Sequence, residues 1–134
     1  MLYRFGIFLL VWSLAAGCSL KKYAINQVGD LLASEDSVYE SDDDIELVGE
    51  ALPFSLKLVE TLITESPRHR GLLLTACRGF TVYSYAFVDF DAEVKADEDL
   101  DEARRLRERS RKLYLRAHDY GLRGLEVDYP GIGE

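Results

Sequence analysis

The chain has 134 residues, with 24 acidic against 16 basic side chains and a formal net charge of −8. Its length suits one domain, and 48% hydrophobic with 30% charged residues argues against both a disordered chain and a multi-spanning membrane protein. The acidic balance argues against nucleic acid as a partner, because phosphate contacts need a basic face; two cysteines and two histidines are too few for a Cys/His zinc site.

The chain opens MLYRFGIFLLVWSLAAGCSL. One base, Arg4, precedes an apolar run from Phe5 to Leu14, and Ala15, Ala16 and Gly17 lead into Cys18. A positive end, an apolar middle and a small-residue exit are the order of an export signal. The apolar stretch is shorter than the ~20 residues with which a helix crosses a bilayer. Ala15-Ala16-Gly17-Cys18 resembles a bacterial lipobox, with Ala15 standing where leucine is usual. That resemblance implies a signal peptide at 1–17, lipid (palmitate) attachment at Cys18, and a mature domain over 18–134. Acyl chains hold by burying methylenes at about 0.8 kcal/mol each, so two or more anchor firmly. Loss of Arg4 makes the mature chain one unit more negative. The expected location is the bacterial periplasm, with the lipid in the membrane. Ser19 follows the cysteine in place of the aspartate tied to inner-membrane retention, which favours the outer membrane. Cys77, among Leu74, Ala76 and Phe80, reads as a small buried hydrophobe.

Residues 21–33 place Ile25, Val28, Leu31 and Leu32 at the spacing of a short amphipathic helix. Residues 34–44, SEDSVYESDDD, interrupt it. No calcium-loop pattern or turn glycine lies there, so Ser41 is expected to cap a helix whose first turn holds Asp42, Asp43 and Asp44. From Ile45 to Ser66, apolar residues recur at steps of three and four. Pro53 inside this helix is expected to kink or split it, and Ser66-Pro67 to end it.

Residues 71–90 favour strand by propensity at Val82–Phe87. Yet Leu73, Ala76, Cys77, Phe80, Tyr83, Ser84 and Phe87 follow a helical stripe, and no second strand flanks them. The segment reads as a helix buried on two sides, with Ala76, Gly79 and Ala86 as a face of small residues. Residues 89–101 read as an acidic connector. From Leu100 to Leu125, the residues Leu100, Ala103, Leu106, Ser110, Leu113, Tyr114, Ala117, Tyr120 and Gly121 form one stripe. Opposite it, Asp101/Arg105 and Glu108/Lys112 are acid-before-base pairs, so the basic run 104–112 reads as a solvated face. The class is all-α. The pair of helices split by Ser66-Pro67 suggests a tetratricopeptide-like array, partial at this length.

Beyond these patterns, several runs together resemble one family. They are Gly17-Cys18-Ser19, Asn26-Gln27-Val28-Gly29-Asp30-Leu31, the 41–44 cap, Ala51-Leu52-Pro53-Phe54-Ser55-Leu56-Lys57-Leu58 and Leu72-Leu73-Leu74-Thr75-Ala76. Tyr83-Ser84-Tyr85-Ala86-Phe87-Val88, Arg111–Ala117 and Tyr120–Gly124 continue the match. In this order they are similar to the T component of bacterial TRAP transporters, the TatT lipoproteins. The resemblance implies a helical, lipid-anchored periplasmic protein associated with a TRAP-type solute-binding protein. It also implies a homotrimer with a channel or cleft for hydrophobic ligands. Members of that family are longer, so the resemblance places this chain as the N-terminal half.

Three functional classes follow. The first is an adaptor that docks the solute-binding protein. The second is a carrier of hydrophobic small molecules, with Phe80, Tyr83 and Phe87 as a cavity wall. Catalysis is the third and is not expected: His69 and His118 lie on different segments, and no triad, paired carboxylates or phosphate loop is signalled. No catalytic residue, cofactor or metal is therefore assigned. Docking faces are expected at Asp42–Asp44 or Asp97–Glu102, where the acids accumulate.

Overall fold

In the computed structural model, which describes residues 20–33 and 41–133, the chain forms helices and, among those residues, no strand. We label the helix at residues 20–32 α1, Ile45–Glu65 α2 and Arg70–Tyr83 α3. A π-helical turn, Ser84–Asp89, leads into α4, Phe90–Lys95, and α5 spans Leu100–Asp128. The all-α class is as expected from the stripes. Cys18 and the signal segment lie outside the described residues.

Several boundaries differ from the sequence reading. Asp44, not Ser41, caps α2: its Oδ1 accepts the Leu47 N–H at 3.0 Å, and Asp42 Oδ1 accepts the Asp44 N–H at 3.0 Å. Only Glu46 is then an acid of the first turn. Capping needs an oxygen just ahead of the first helical residue, and Asp44 stands there. Pro53 does not split α2. A proline inside a helix costs roughly 3 kcal/mol, whereas burying one aliphatic side chain returns about 1.5–3 kcal/mol. Leu52, Leu56, Val59 and Ile63 are all buried along one face of this helix, while the proline ring faces solvent. Most of the acidic connector is helix as well; only residues 96–99 form the turn into α5. Its cap is Asp99, which accepts the N–H groups of Asp101 and Glu102 at 3.1 and 3.0 Å.

The helix α3 lies at the centre. On one side α2 runs antiparallel to it, and so close that a β-carbon on Gly79 would sit 2.6 Å from Leu56 Cδ2. Along the other side α5 is antiparallel too, with Gly121 against Cys77 and Gly124 against Leu73. The core joins Leu56, Val59 and Ile63 of α2 with Leu72, Leu73, Ala76 and Phe80 of α3 and Ala117 of α5. A second cluster of Val88, Ala92 and Leu106 packs α4 on α5, and Tyr83 and Leu113 touch both clusters. Of the expected small face on α3, Ala76 and Gly79 serve as contacts, but Ala86 is exposed. Leu100, expected on the α5 stripe, is exposed too, ahead of the point where α5 meets α3.

For α1 the expected apolar stripe is not the buried face. Val28, Leu31 and Leu32 are exposed, and the helix instead lays Asn26 and Gly29 on the turn between α2 and α3. Asn26 Oδ1 accepts the Ser66 hydroxyl at 2.9 Å, and Gly29 lies so near His69 that a β-carbon would come within 2.9 Å of Nε2. A polar turn was there to be satisfied, so hydrogen bonding rather than apolar area chose the face.

Candidate functional site: an aromatic and arginine seam

Arg109, Arg116 and Arg123 recur at seven-residue spacing on α5. Such residues drift only ~20° per repeat on a straight helix and so share one flank. Each guanidinium covers an aromatic ring: Arg109 over Tyr83 at 5.7 Å, Arg116 over Phe80 at 5.3 Å and Arg123 over Tyr120 at 5.3 Å. Phe80 and Tyr120 stack at 6.0 Å and Tyr83 and Phe87 at 5.7 Å. The result is a seam of rings from α3, its π turn and Tyr120 of α5, roofed by arginines from α5.

Glu60 of α2 closes one end. Its Oε1 accepts the Tyr120 hydroxyl at 2.8 Å and lies 3.5 Å from Arg116 Nη1, while Oε2 is 2.7 Å from Lys57 Nζ. Burial pushes the Glu60 carboxyl up, but the hydrogen bonds from Lys57 and Tyr120 and the charge of Arg116 outweigh it, so its pKa falls below the usual value. Burial, with the Glu60 hydrogen bond and charge, raises the Tyr120 hydroxyl to about 12. At the other end Arg109 Nη2 donates to the Tyr83 hydroxyl at 3.2 Å. Tyr83 and Phe87 are only half-buried, whereas Phe80 is buried.

The opposite flank of α5 carries an open cleft of about 560 Å³ lined by Asp89, Arg107, Ser110, Arg111, Tyr114, Leu115 and His118. Beneath it the Ser84 hydroxyl, fully buried on the π turn, bonds to the Ser110 carbonyl and hydroxyl at 3.0 Å each. Burial and the nearby Asp89 carboxylate raise the Tyr114 hydroxyl above its ordinary value.

Of the residues singled out in the sequence, Tyr83 and Phe87 stack within the seam, with Phe80 beside them, whereas His69, His118 and Cys77 fall apart in space. His69 caps α3, its Nδ1 accepting the Leu72 N–H at 3.2 Å, with Nε2 3.3 Å from the Asn26 carbonyl. His118 stands on the exposed side of α5 beside Asp119. Cys77 is half-buried against Gly121. Among the described residues no group of His, Cys, Asp and Glu is placed to hold a metal ion, and no helix is long and apolar enough to cross a membrane. The acid–base pairs on α5 form mostly one residue shorter than expected. Asp101 pairs with Arg104, Glu102 with Arg105 and Glu108 with Arg111, while Glu108 also makes the expected pair with Lys112 at 3.6 Å. The Glu60 node was missed in the sequence; the arginine heptad was its one visible signal.

These contacts define an all-α protein whose conspicuous side chains pack rings and guanidinium groups between helices. A family model described as TRAP transporter T-component, TAtT, matches residues 41–134, and the chain belongs to that family. An uncharacterized protein of Treponema pallidum (strain Nichols) is 36% identical over 133 aligned positions, which cover 89% of this chain and 41% of the relative. The chain thus spans about two fifths of the length of that relative.

Proposed function

We propose that the chain is a lipid-anchored, periplasmic component of a TRAP-type transporter whose helices dock the solute-binding protein. The observation that carries this reading is the family match over residues 41–134. Supporting it, the signal segment and Cys18 supply export and anchorage, dividing the chain into 1–17 and 18–134. The antiparallel α2–α3 pair has the form of one tetratricopeptide-like unit, a scaffold that presents side chains rather than chemistry. A non-enzymatic role follows from the same family. The acids at the α4–α5 turn, Asp97 to Glu102, are the docking candidates, because charges at an interface rim speed encounter and fix orientation. Asp42 and Asp44 already serve the cap of α2.

The test is a pull-down of the chain, and of a full-length relative, with the solute-binding protein encoded beside it. Capture of the binding protein, weakened by salt and by reversing Asp97 and Glu98, is the expected result. Capture by the long form alone would move the docking surface out of this segment. A second reading, a carrier of hydrophobic molecules, is favoured by the half-buried Tyr83–Phe87 pair. An apolar small molecule co-purifying with the chain, without the binding protein, would support that reading instead.

A further inference from the structure

The two ends of the helix array differ in charge and in apolar exposure. At one end stand the start of α1, the turn from α2 to α3, and the C-terminus of α5. Lys21 bonds Glu65 at the end of α2, and Arg70 bonds Asp128 at the end of α5, both at 2.7 Å, which fixes these three segments side by side. Lys22 and Arg68 add exposed bases here and no acid among the described residues pairs with either, so bases still outnumber acids although Asp30 and Glu126 are exposed nearby. Next to them, Leu20 is 70% and Tyr23 63% exposed. At the other end lie the Asp42–Asp44 run and the turn holding Asp97, Glu98 and Asp99, all exposed. Since α5 has 29 residues, the two ends are about 40 Å apart at 1.5 Å per residue. That is several times the ~8 Å screening length at physiological salt, so a charged surface at one end acts on that end alone.

We propose that the basic end seats directly on a bilayer bearing anionic phospholipid, with Leu20 and Tyr23 at the headgroup level and Lys22 and Arg68 against phosphates. The acidic end then points away from the membrane. Leucine and tyrosine beside lysine suit an interface where apolar and polar surroundings meet, and juxtamembrane bases are drawn to anionic lipid. The proposal rests on acylation at Cys18, two residues before Leu20. An acyl chain there places the start of α1 at the membrane, and the contacts of α1 with Ser66 and His69 tie it to the rest of the fold. Anchorage in this arrangement sets orientation as well as location. The acids offered for docking face the aqueous space, where a soluble partner arrives.

The test uses the full lipidated chain on vesicles of phosphatidylcholine with and without phosphatidylglycerol. Fluorescent labels are placed at Tyr23→Cys or Asp97→Cys in a Cys77→Ser background, and brominated lipid is the quencher. Expected is quenching at position 23 but not at 97, stronger with phosphatidylglycerol. Lys22→Glu with Arg68→Glu should abolish that difference while the acyl group still retains the chain. Equal quenching at the two positions, or quenching at 23 indifferent to anionic lipid and to charge reversal, would overturn the seating and leave the anchor intact. If mass spectrometry finds no acyl group, the lipidation reading fails by itself. Sedimentation of that unacylated chain with phosphatidylglycerol vesicles would then support the surface, and its absence would overturn it.

Discussion

Tyr120 and Glu60 couple α5 to α2 through one hydrogen bond, and both titrate away from their usual values. The folded Glu60 carboxyl is depressed, so its contribution is present above about 4.5, its ordinary pKa, and is lost as pH falls through the folded value. Tyr120 works in the other direction. Its hydroxyl is raised from 10 to about 12, so its contribution is complete below 10 and is lost between 10 and 12. Tyr120→Phe is expected to cost about 1 kcal/mol at neutral pH, the usual net worth of a hydrogen bond, and to flatten the alkaline arm. Glu60→Gln should flatten the acid arm instead. Urea melts across pH decide it; unchanged curves in both variants would remove the node from the stability account. Sequence spacing placed Tyr120 on the buried stripe correctly, but could not pair it with Glu60, because the two residues are distant along the chain and meet only once α2 and α5 flank α3.

Among elements, helix spacing is set by glycine. A β-carbon at Gly49 would meet the Phe87 ring at 2.5 Å, whereas one at Gly124 would lie 3.6 Å from Leu73 Cβ, an ordinary contact. Both positions gain roughly 1 kcal/mol of helix propensity on becoming alanine. At Gly49 the overpacking cost of about 1–3 kcal/mol exceeds that gain. Gly49→Ala is therefore expected to lower the melting temperature and Gly124→Ala to raise it, as differential scanning calorimetry would show. The reverse order would mean that Phe87 moves aside at little cost. The existence of α1, α2, α3 and α5 was legible, since period-three-and-four stripes need no knowledge of neighbours. Helix ends were less so: at α2 the choice between Ser41 and Asp44 depends on where the first turn begins. For α4, acidic composition hid a short helix held by Ala92, a single buried residue. The π turn had a signal that went unread. Ala76, Phe80, Ser84, Val88 and Ala92 are buried at unbroken steps of four, and an α-helix with 3.6 residues per turn would carry such a row off the core.

Viewed whole, the molecule leaves apolar side chains outward on α2, where Leu47, Phe54 and Leu58 recur along the face opposite Leu52 and Leu56. Phe54 is 75% exposed. Such faces promote association, so Phe54→Ser is expected to reduce concentration-dependent self-association while leaving the thermal midpoint nearly unchanged. Sedimentation at several concentrations reads the first effect and circular dichroism the second. No change in association would assign it to another face. The pairing of α2 with α3 was foreseeable from the Ser66-Pro67 break between two amphipathic helices. The placement of α1 was not, because its polar contacts with Ser66 and His69 obey no periodicity.

The π turn at Ser84–Asp89 also bears on how the gene tolerates change. Removing a residue from the middle of an α-helix rotates everything beyond it by about 100°, which normally throws the following apolar row into water. A π turn holds a surplus residue relative to an α-helix of the same rise. Excising exposed Ala86 should therefore convert the turn to regular helix with α4 and the Val88–Leu106 cluster still in phase. Excising exposed Arg107, inside regular helix, should not be survivable in the same way. A folded, cooperatively melting ΔAla86 chain beside an unfolded ΔArg107 chain is the expected outcome, and failure of both would deny that surplus. Natural relatives that differ in length by one codon would be expected to do so here.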